Sequence, residues 1–379
     1  MPHVLRAAFF VGWIAGLAVG CSSSSGSPFP VAPHVAYPQI PNGGGPTLAT
    51  VPVVTVSFDG DSHTSDLTAF VEWFGQSTFP RLVAGEYGVR GIEPQAHVDL
   101  DAVAPESVTD DDVQALLAAG LVDGTLPSAP ASGPPFLYVL FYPDGTSVTR
   151  LGGANACASV PGNGYHDTTV GTGPNVAYAV VPSCDPRFSA TLSEVQGMEL
   201  ETARLLLDAA TDPSPRNEPA FQLNDESNPW TSMGAEVGDL CWGRLVAEGP
   251  GYTLQRVWSN AAASSGDEPC VPAPPGSVPF GVSASPSILQ TITVGVPLTF
   301  TVTGWSRAAL AAWPIQATSW VGDYTIEASL NRSTLDNGQT AVLTVTVPFA
   351  QTSGTYGAVL LRSLGPTDSP AWPVAFTVR

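Results

Sequence analysis

Hydrophobic periodicity changes character at Pro272-Ala-Pro-Pro-Gly276. Before that join, apolar residues recur with both helical and strand spacing. After it, strand alternation dominates. Leu298, Phe300 and Val302 alternate with Thr299, Thr301 and Thr303. Leu343, Val345 and Val347 alternate with Val342, Thr344 and Thr346. A period of two sends successive side chains to opposite faces of a sheet. Asn337-Gly338 marks a turn, and a helical period is hinted at only near residues 308–312. Residues 277–379 therefore read as short strands of a β-sandwich, expected to fold alone as a spacer or packing module.

Residues 50–272 read as a mixed unit. Val51 to Phe58 has the apolar pattern of a strand. Leu67, Phe70, Val71 and Phe74 line one face of a helix expected to start at a Ser65 cap. Thr109 before Asp110-Asp111-Asp112 starts a second helix, with acids suited to its N-terminal dipole and Gly120 at its end. Phe136–Tyr142 and Val176–Val181 read as further strands. Glu194 to Ala210 is the longest helical pattern, with Val195, Met198, Thr202, Leu205, Leu206 and Ala209 along one side. The fold class is α+β followed by an all-β module. That module resembles bacterial immunoglobulin-like domains, without the inter-sheet cysteines of antibody domains.

The N-terminus bears on location. Arg6 precedes an apolar run from Ala7 to Val19, followed by Gly20 and Cys21. A basic residue, a short apolar segment and small residues before a cleavage point make an export signal. The cysteine after them resembles a bacterial lipoprotein signal, although Leu17 sits one place earlier than that family's usual leucine. Residues 1–20 are thus expected to be removed and Cys21 to carry lipid. Residues 21–49, rich in Ser, Pro and Gly, read as a tether. The resemblance implies a lipid-anchored protein of the bacterial cell envelope, at the outer membrane.

Export also frames the cysteines. Cys157, Cys184, Cys241 and Cys270 are an even set in an oxidising compartment, which reads as two disulfides. Three pairings are open; nearest-neighbour pairing closes the shortest loops and is the one expected. The chain has no lysine and a formal charge of -20, which excludes nucleic acid as a partner. Only 12% of residues are charged and 44% are hydrophobic, enough to bury real cores.

Three ordered segments carry a second resemblance. They are Arg204-Leu-Leu-Leu-Asp208-Ala-Ala-Thr211-Asp212-Pro213, Gly234-Ala-Glu236-Val-Gly-Asp239-Leu-Cys241 and Gln255-Arg-Val-Trp258-Ser-Asn260-Ala. Together they resemble secreted bacterial proteins with a zincin-like domain, related to the plant exordium (phosphate-induced) family, over roughly residues 50–270. That family's helix usually reads His-Glu-x-x-Glu before Thr-Asp-Pro. His and the second Glu can hold a metal, and the first Glu can act as base on a metal-bound water. Here those positions hold Arg204, Leu205 and Asp208, and no histidine follows His166. Arginine cannot ligate a metal and leucine cannot accept a proton.

The resemblance therefore implies a zincin-like unit without catalytic metal, in a binding or structural role. Its partners would be the membrane, through lipid on Cys21, and a cell-surface or extracellular protein or glycan. The alternative is a secreted metal-dependent peptidase using zinc at an atypical site of Asp208, Asp212, Glu236 and His166. Arg204 and Asp208 are expected to pair on a solvated helix face. Glu236 and Asp239 are expected to be framework residues beside Cys241. Tyr165-His166-Asp167 reads as a structural stretch, and Asp59, Asp61 and His63 as a solvated loop.

Overall fold

The computed structural model describes residues 29–158, 163–169, 176–184, 192–322, 324–349 and 354–379. Cys21 and the expected signal segment lie outside them. The chain is mixed α and β, with sandwich-like sheets in its C-terminal part.

The first unit is built on β1 (Thr50–Phe58), α1 (Thr64–Gln76), β2 (Gly91–Leu100), α2 (Asp110–Asp123), β3 (Leu137–Tyr142), β4 (Tyr165–Thr168), β5 (Ala177–Pro182) and α3 (Glu194–Thr211). The sheet order is β2-β1-β3-β5-β4, parallel except for β4, which runs antiparallel to β5. Every residue of β3 and β5 is buried, as expected of strands covered on both faces. Val51 and Val53 face the core containing Leu67 and Phe70 of α1 and Leu206 of α3. Val54 and Val56 face a second core with Val113 and Leu117 of α2.

Three local expectations are corrected. α1 starts at Thr64, and neither Ser65 nor the N-cap residue His63 supplies a side-chain cap. α2 has the Thr109–Asp112 capping box, but it runs past Gly120 to Gly124, whose φ is +82°. Gly120 is instead a packing position, because a Cβ there would meet Leu126 Cγ at 2.7 Å. Residues 308–312 form no helix.

The tether reading is corrected from Phe29 onward. Ala32, Tyr37, Ile40 and Leu48 are buried, so residues 29–49 form a packed strap. The Ala32 N–H donates to Asn337 Oδ1, and the Val35 N–H to Ser283 Oγ. Ile40 exchanges two bonds with the Asn260 side chain. The Leu48 N–H donates to the Ala210 carbonyl at the end of α3. Spaced apolar anchors and paired backbone groups hold a segment whose composition looks flexible.

One sheet of the C-terminal unit contains Phe280–Ser285, Leu298–Ser306, Thr340–Thr346 and Glu327–Leu330, in that spatial order. The other centres on Ala371–Val378 and Tyr356–Ser363, with Trp313–Val321 beside the latter. Their apolar faces join the first unit in one continuous core. The join also holds a buried ion quartet. Arg244 pairs with Asp368 at 2.6 Å and Glu268 at 3.0 Å; Arg256 pairs with Glu268 at 2.6 Å and Asp368 at 2.8 Å. Across this join Asp368 meets both guanidiniums and Trp372 packs on Trp230, so residues 277–379 share buried charge and core with the first unit.

The disulfides are Cys157–Cys184 and Cys241–Cys270, with Cα separations of 5.5 and 5.6 Å. Among the described residues, no helix is long and apolar enough to cross a membrane.

Candidate functional site

Residues Gly197 to Thr211 of α3 are all buried. The one-sided stripe in the sequence is thus part of a helix enclosed by the sheet, α1 and the hairpin of Leu245–Glu248 and Tyr252–Gln255. Glu201, Arg204 and Asp208 lie three and four residues apart and share a face. Their side chains are 2%, 4% and 0% exposed. The expected Arg204–Asp208 pair exists, at 3.0 Å, but the expectation of a solvated face is overturned.

Arg204 is the centre of the cluster. Its Nε donates to Glu201 Oε2 at 2.9 Å. Nη1 donates to Asp208 Oδ2 at 3.0 Å and to Asp239 Oδ1 at 2.9 Å. Nη2 reaches the Asn163 carbonyl at 3.3 Å. A planar fork of donors suits this many acceptors, as a lysine would not. Burial opposes the guanidinium charge, yet Glu201, Asp239 and Asp208 outweigh it and hold the proton more firmly than usual.

A second cation backs the first. His166, on the edge strand β4, donates from Nε2 to the Glu236 carboxylate, with contacts of 2.9 and 3.0 Å. Its Nδ1 is buried without a hydrogen-bond partner among the described residues. Burial works against the imidazolium, but Glu236 first, then Asp208 and Asp212, lift its pKa to about 9. The carboxylates move upward too. Burial pushes Asp208 well above the usual range, and Glu236 and Asp239 add to that against the pull of Arg204. Burial also brings Asp239 to about 6, despite Arg204, and Asp212 to about 6, despite a bond from the Ala220 N–H.

The three segments of the sequence resemblance meet here. Gly238 lies against α3, and its N–H donates to Asp208 Oδ1 at 2.8 Å. Gln255 Nε2 donates to the Gly238 carbonyl at 2.7 Å, and the Trp258 N–H to the Val237 carbonyl at 2.8 Å. Gly234 turns the chain at φ +123°, where a Cβ would meet Asp239 Cβ at 2.4 Å. Thr211 bonds back to the Leu207 carbonyl, and Asp212 terminates α3. Of the residues read as an alternative site, Asp208, Glu236 and His166 come together and Asp212 lies within electrostatic reach. Glu236 and Asp239 are more than framework residues, since each holds a buried cation. Sequence reasoning missed Glu201 and Asn163. Glu201 had a signal, its place one turn before Arg204; a backbone carbonyl such as that of Asn163 has none.

Asp59, Asp61 and His63 form no cluster of this kind. Asp59 is exposed, Asp61 accepts from the His63 N–H, and the His63 ring faces Glu194 at 3.6 Å. The Asp167 carboxylate pairs with Arg216 instead of orienting His166.

Zinc, implied by the resemblance, does not fit these residues. Asp208, Glu236 and Asp239 each offer an oxygen within 4.8 Å of the others. Arg204 already lies among them, bonded to Asp208 and Asp239. The nearby imidazole is turned to Glu236. At the position of the family's catalytic base, Leu205 is 1% exposed and belongs to the apolar core.

Gly238→Ala should show how tightly this centre is closed. A Cβ at 238 would lie 2.7 Å from Asp208 Oδ1 and 2.8 Å from Arg204 Cγ. Overpacking of a buried ion pair should cost about 2–3 kcal/mol, read as a lower urea midpoint at unchanged slope. A loss below about 0.5 kcal/mol, the scale of an ordinary surface change, would contradict this close packing.

No protein-family model and no curated protein matches the chain. Similar solved structures include domains 4 and 5 of the S-layer protein SbsC, at 16% identity and a TM-score of 0.21. That match covers 28% of this chain and 54% of the other, so this chain spans about half the length of that S-layer fragment. A conjugative transposon lipoprotein from Bacteroides eggerthii is similar at 12% identity and a TM-score of 0.20. It covers 27% of this chain and 99% of its own.

Proposed function

We propose that this protein is a bacterial cell-envelope lipoprotein, anchored through Cys21 at the outer membrane, whose zincin-like first unit has exchanged catalytic metal for a guanidinium. Its role is binding or structural, toward a cell-surface or extracellular protein or glycan, with an immunoglobulin-like C-terminal unit packed against it. The observation that carries this reading is Arg204, bonded to Glu201, Asp208 and Asp239 at the position where the resembling family places a metal-binding histidine. A permanent cation there repels a metal and occupies its acidic ligands. Leu205 removes the proton acceptor that a water-activating site needs. Support for anchoring comes from the apolar run up to Cys21.

The test uses the mature protein purified from its membrane fraction. After dialysis it should hold no stoichiometric zinc and should not hydrolyse a broad peptide library. Hydrolysis that stops with chelator and returns with zinc would establish the peptidase reading instead. Cys21→Ser should release the protein from the membrane; unchanged lipid labelling of that variant would reject the anchor.

A further inference from the structure

We infer that the apolar loop of residues 308–312, at the end of the C-terminal unit where the strap enters, rests on the lipid surface that holds Cys21. The inference rests on the reading in which Cys21 carries lipid.

This loop joins the strand Leu298–Ser306 to the strand Trp313–Val321 through Arg307 and the run Ala-Ala-Leu-Ala-Ala. Ala309, Leu310, Ala311 and Ala312 are all exposed, as is Pro314 beyond them. Consecutive apolar residues left in water are a feature of contact surfaces.

One side chain ties the loop to the entry of the chain. Asn337 Oδ1 accepts from the Ser306 N–H at 3.1 Å, at the base of the loop, and from the Ala32 N–H at 2.9 Å, in the strap. Asn337 Nδ2 donates to the Pro30 carbonyl at 2.8 Å. Phe29, next to Pro30, is itself exposed. Cys21 precedes Phe29 by eight residues, a length of chain that spans at most about 29 Å. Lipid on Cys21 therefore keeps this end of the molecule, and the loop with it, close to the bilayer.

Charge favours the same orientation. Residues 277–379 contain four arginines and four acids, so the whole formal charge of -20 lies in residues 1–276. An anionic lipid surface repels that acidic part and has no net repulsion for the C-terminal unit. Beside the loop, Asp267 is paired with Arg307, and Asp336 accepts from Gln339 Nε2 at 2.9 Å. The backbone N–H groups of Ala309, Leu310 and Ala311 make no hydrogen bond among the described residues. Such donors need water or headgroup oxygens, which keeps the loop at headgroup level and out of the hydrocarbon.

The experiment reads the loop in the full lipidated chain, bound to vesicles of phosphatidylethanolamine and phosphatidylglycerol. With Cys21 lipidated and the other four cysteines in disulfides, an introduced cysteine is the one free thiol. Ala309→Cys and Val122→Cys each receive a polarity-sensitive dye. Val122 is 89% exposed on α2, which packs on the sheet face away from the core shared with the C-terminal unit. Both proteins should float with the vesicles. The Ala309 dye alone should shift to the blue and be quenched by spin labels placed high on the acyl chains. Adding Leu310→Glu should abolish the shift and the quenching while flotation persists. Floating protein whose Ala309 dye stays in water overturns the inference and leaves the anchor intact, as does equal quenching at Val122. A dye at Ala309 that is shielded but unquenched also overturns it, because a second copy or another protein then covers the loop. A chain that takes no lipid label and does not float removes the anchor reading, and the inference with it.

Discussion

Tyr37→Ala should lower stability by about 3–5 kcal/mol, the range for truncating a fully packed aromatic side chain. Tyr37 is 6% exposed. It packs edge-on against Trp230 at 5.8 Å, Trp258 at 6.0 Å and Trp305 at 6.3 Å, and tilted against Trp372 at 5.3 Å. Trp230 and Trp258 belong to the first unit, Trp305 and Trp372 to the second, and Tyr37 to the strap. One ring thus touches all three parts of the chain. Its removal leaves a cavity that no single element can collapse to fill. Tyr37→Phe keeps the ring and should cost far less. Equilibrium urea unfolding measures both. Equal small losses for Ala and Phe would show that the strap is dispensable to the core.

Stability should fall as pH rises from about 6.5 to 9, by about 3 kcal/mol from His166 alone. Burial opposes its charge, but Glu236, Asp208 and Asp212 raise its pKa from 6.5 to about 9. The folded state therefore binds its proton more tightly than the unfolded state does. That stabilisation is complete below 6.5 and disappears as pH passes about 9. Asp212 and Asp239 act in the same direction at lower pH. Burial raises both from 3.8 to about 6, so folding loses stability as each ionises on the way up through that value. Asp368 opposes them at the acid end. Burial would raise it, but Arg244 and Arg256 hold it below 3.8, so its contribution is lost as pH falls below that value. The optimum should lie on the acid side of neutrality. Urea midpoints between about pH 4 and 10 test this, with His166→Gln expected to flatten the limb above 6.5. A native profile that is flat or rising between 6.5 and 9 would remove the buried His166–Glu236 pair as its cause.

Periodicity read locally recovered much of the backbone. β1, α3 and the alternating strands after residue 280 fall close to where the apolar spacing places them. The helix start at Thr109 is written in adjacent residues and forms there, closed by a Thr109–Asp112 capping box that the structure adds. The disulfides follow the shortest loops in the cysteine spacing. These features depend on neighbours within a few turns of chain, or on which cysteines lie nearest along it.

The candidate site was legible as residue types and not as an environment. Arg204 and Asp208 announce an ion pair by their spacing, but spacing carries no information about what covers the helix. Burial comes from β4, the Gly238 segment and the hairpin after it, which lie 30 or more residues away. The same side chains that would be a weak surface pair in water become a closed charge centre once solvent is excluded. Residues 29–49 show the converse. Their Pro, Gly and Ser content signals low intrinsic order, and local chemistry goes no further. Tyr37, Ile40 and Leu48 gain a fixed place because they pack on or bond to Trp230, Trp372, Asn260 and Ala210, which are distant in the chain. Short-range hydrophobic pattern sets which segments become strands and helices; which charges lose their water is set by contacts between segments far apart in the chain.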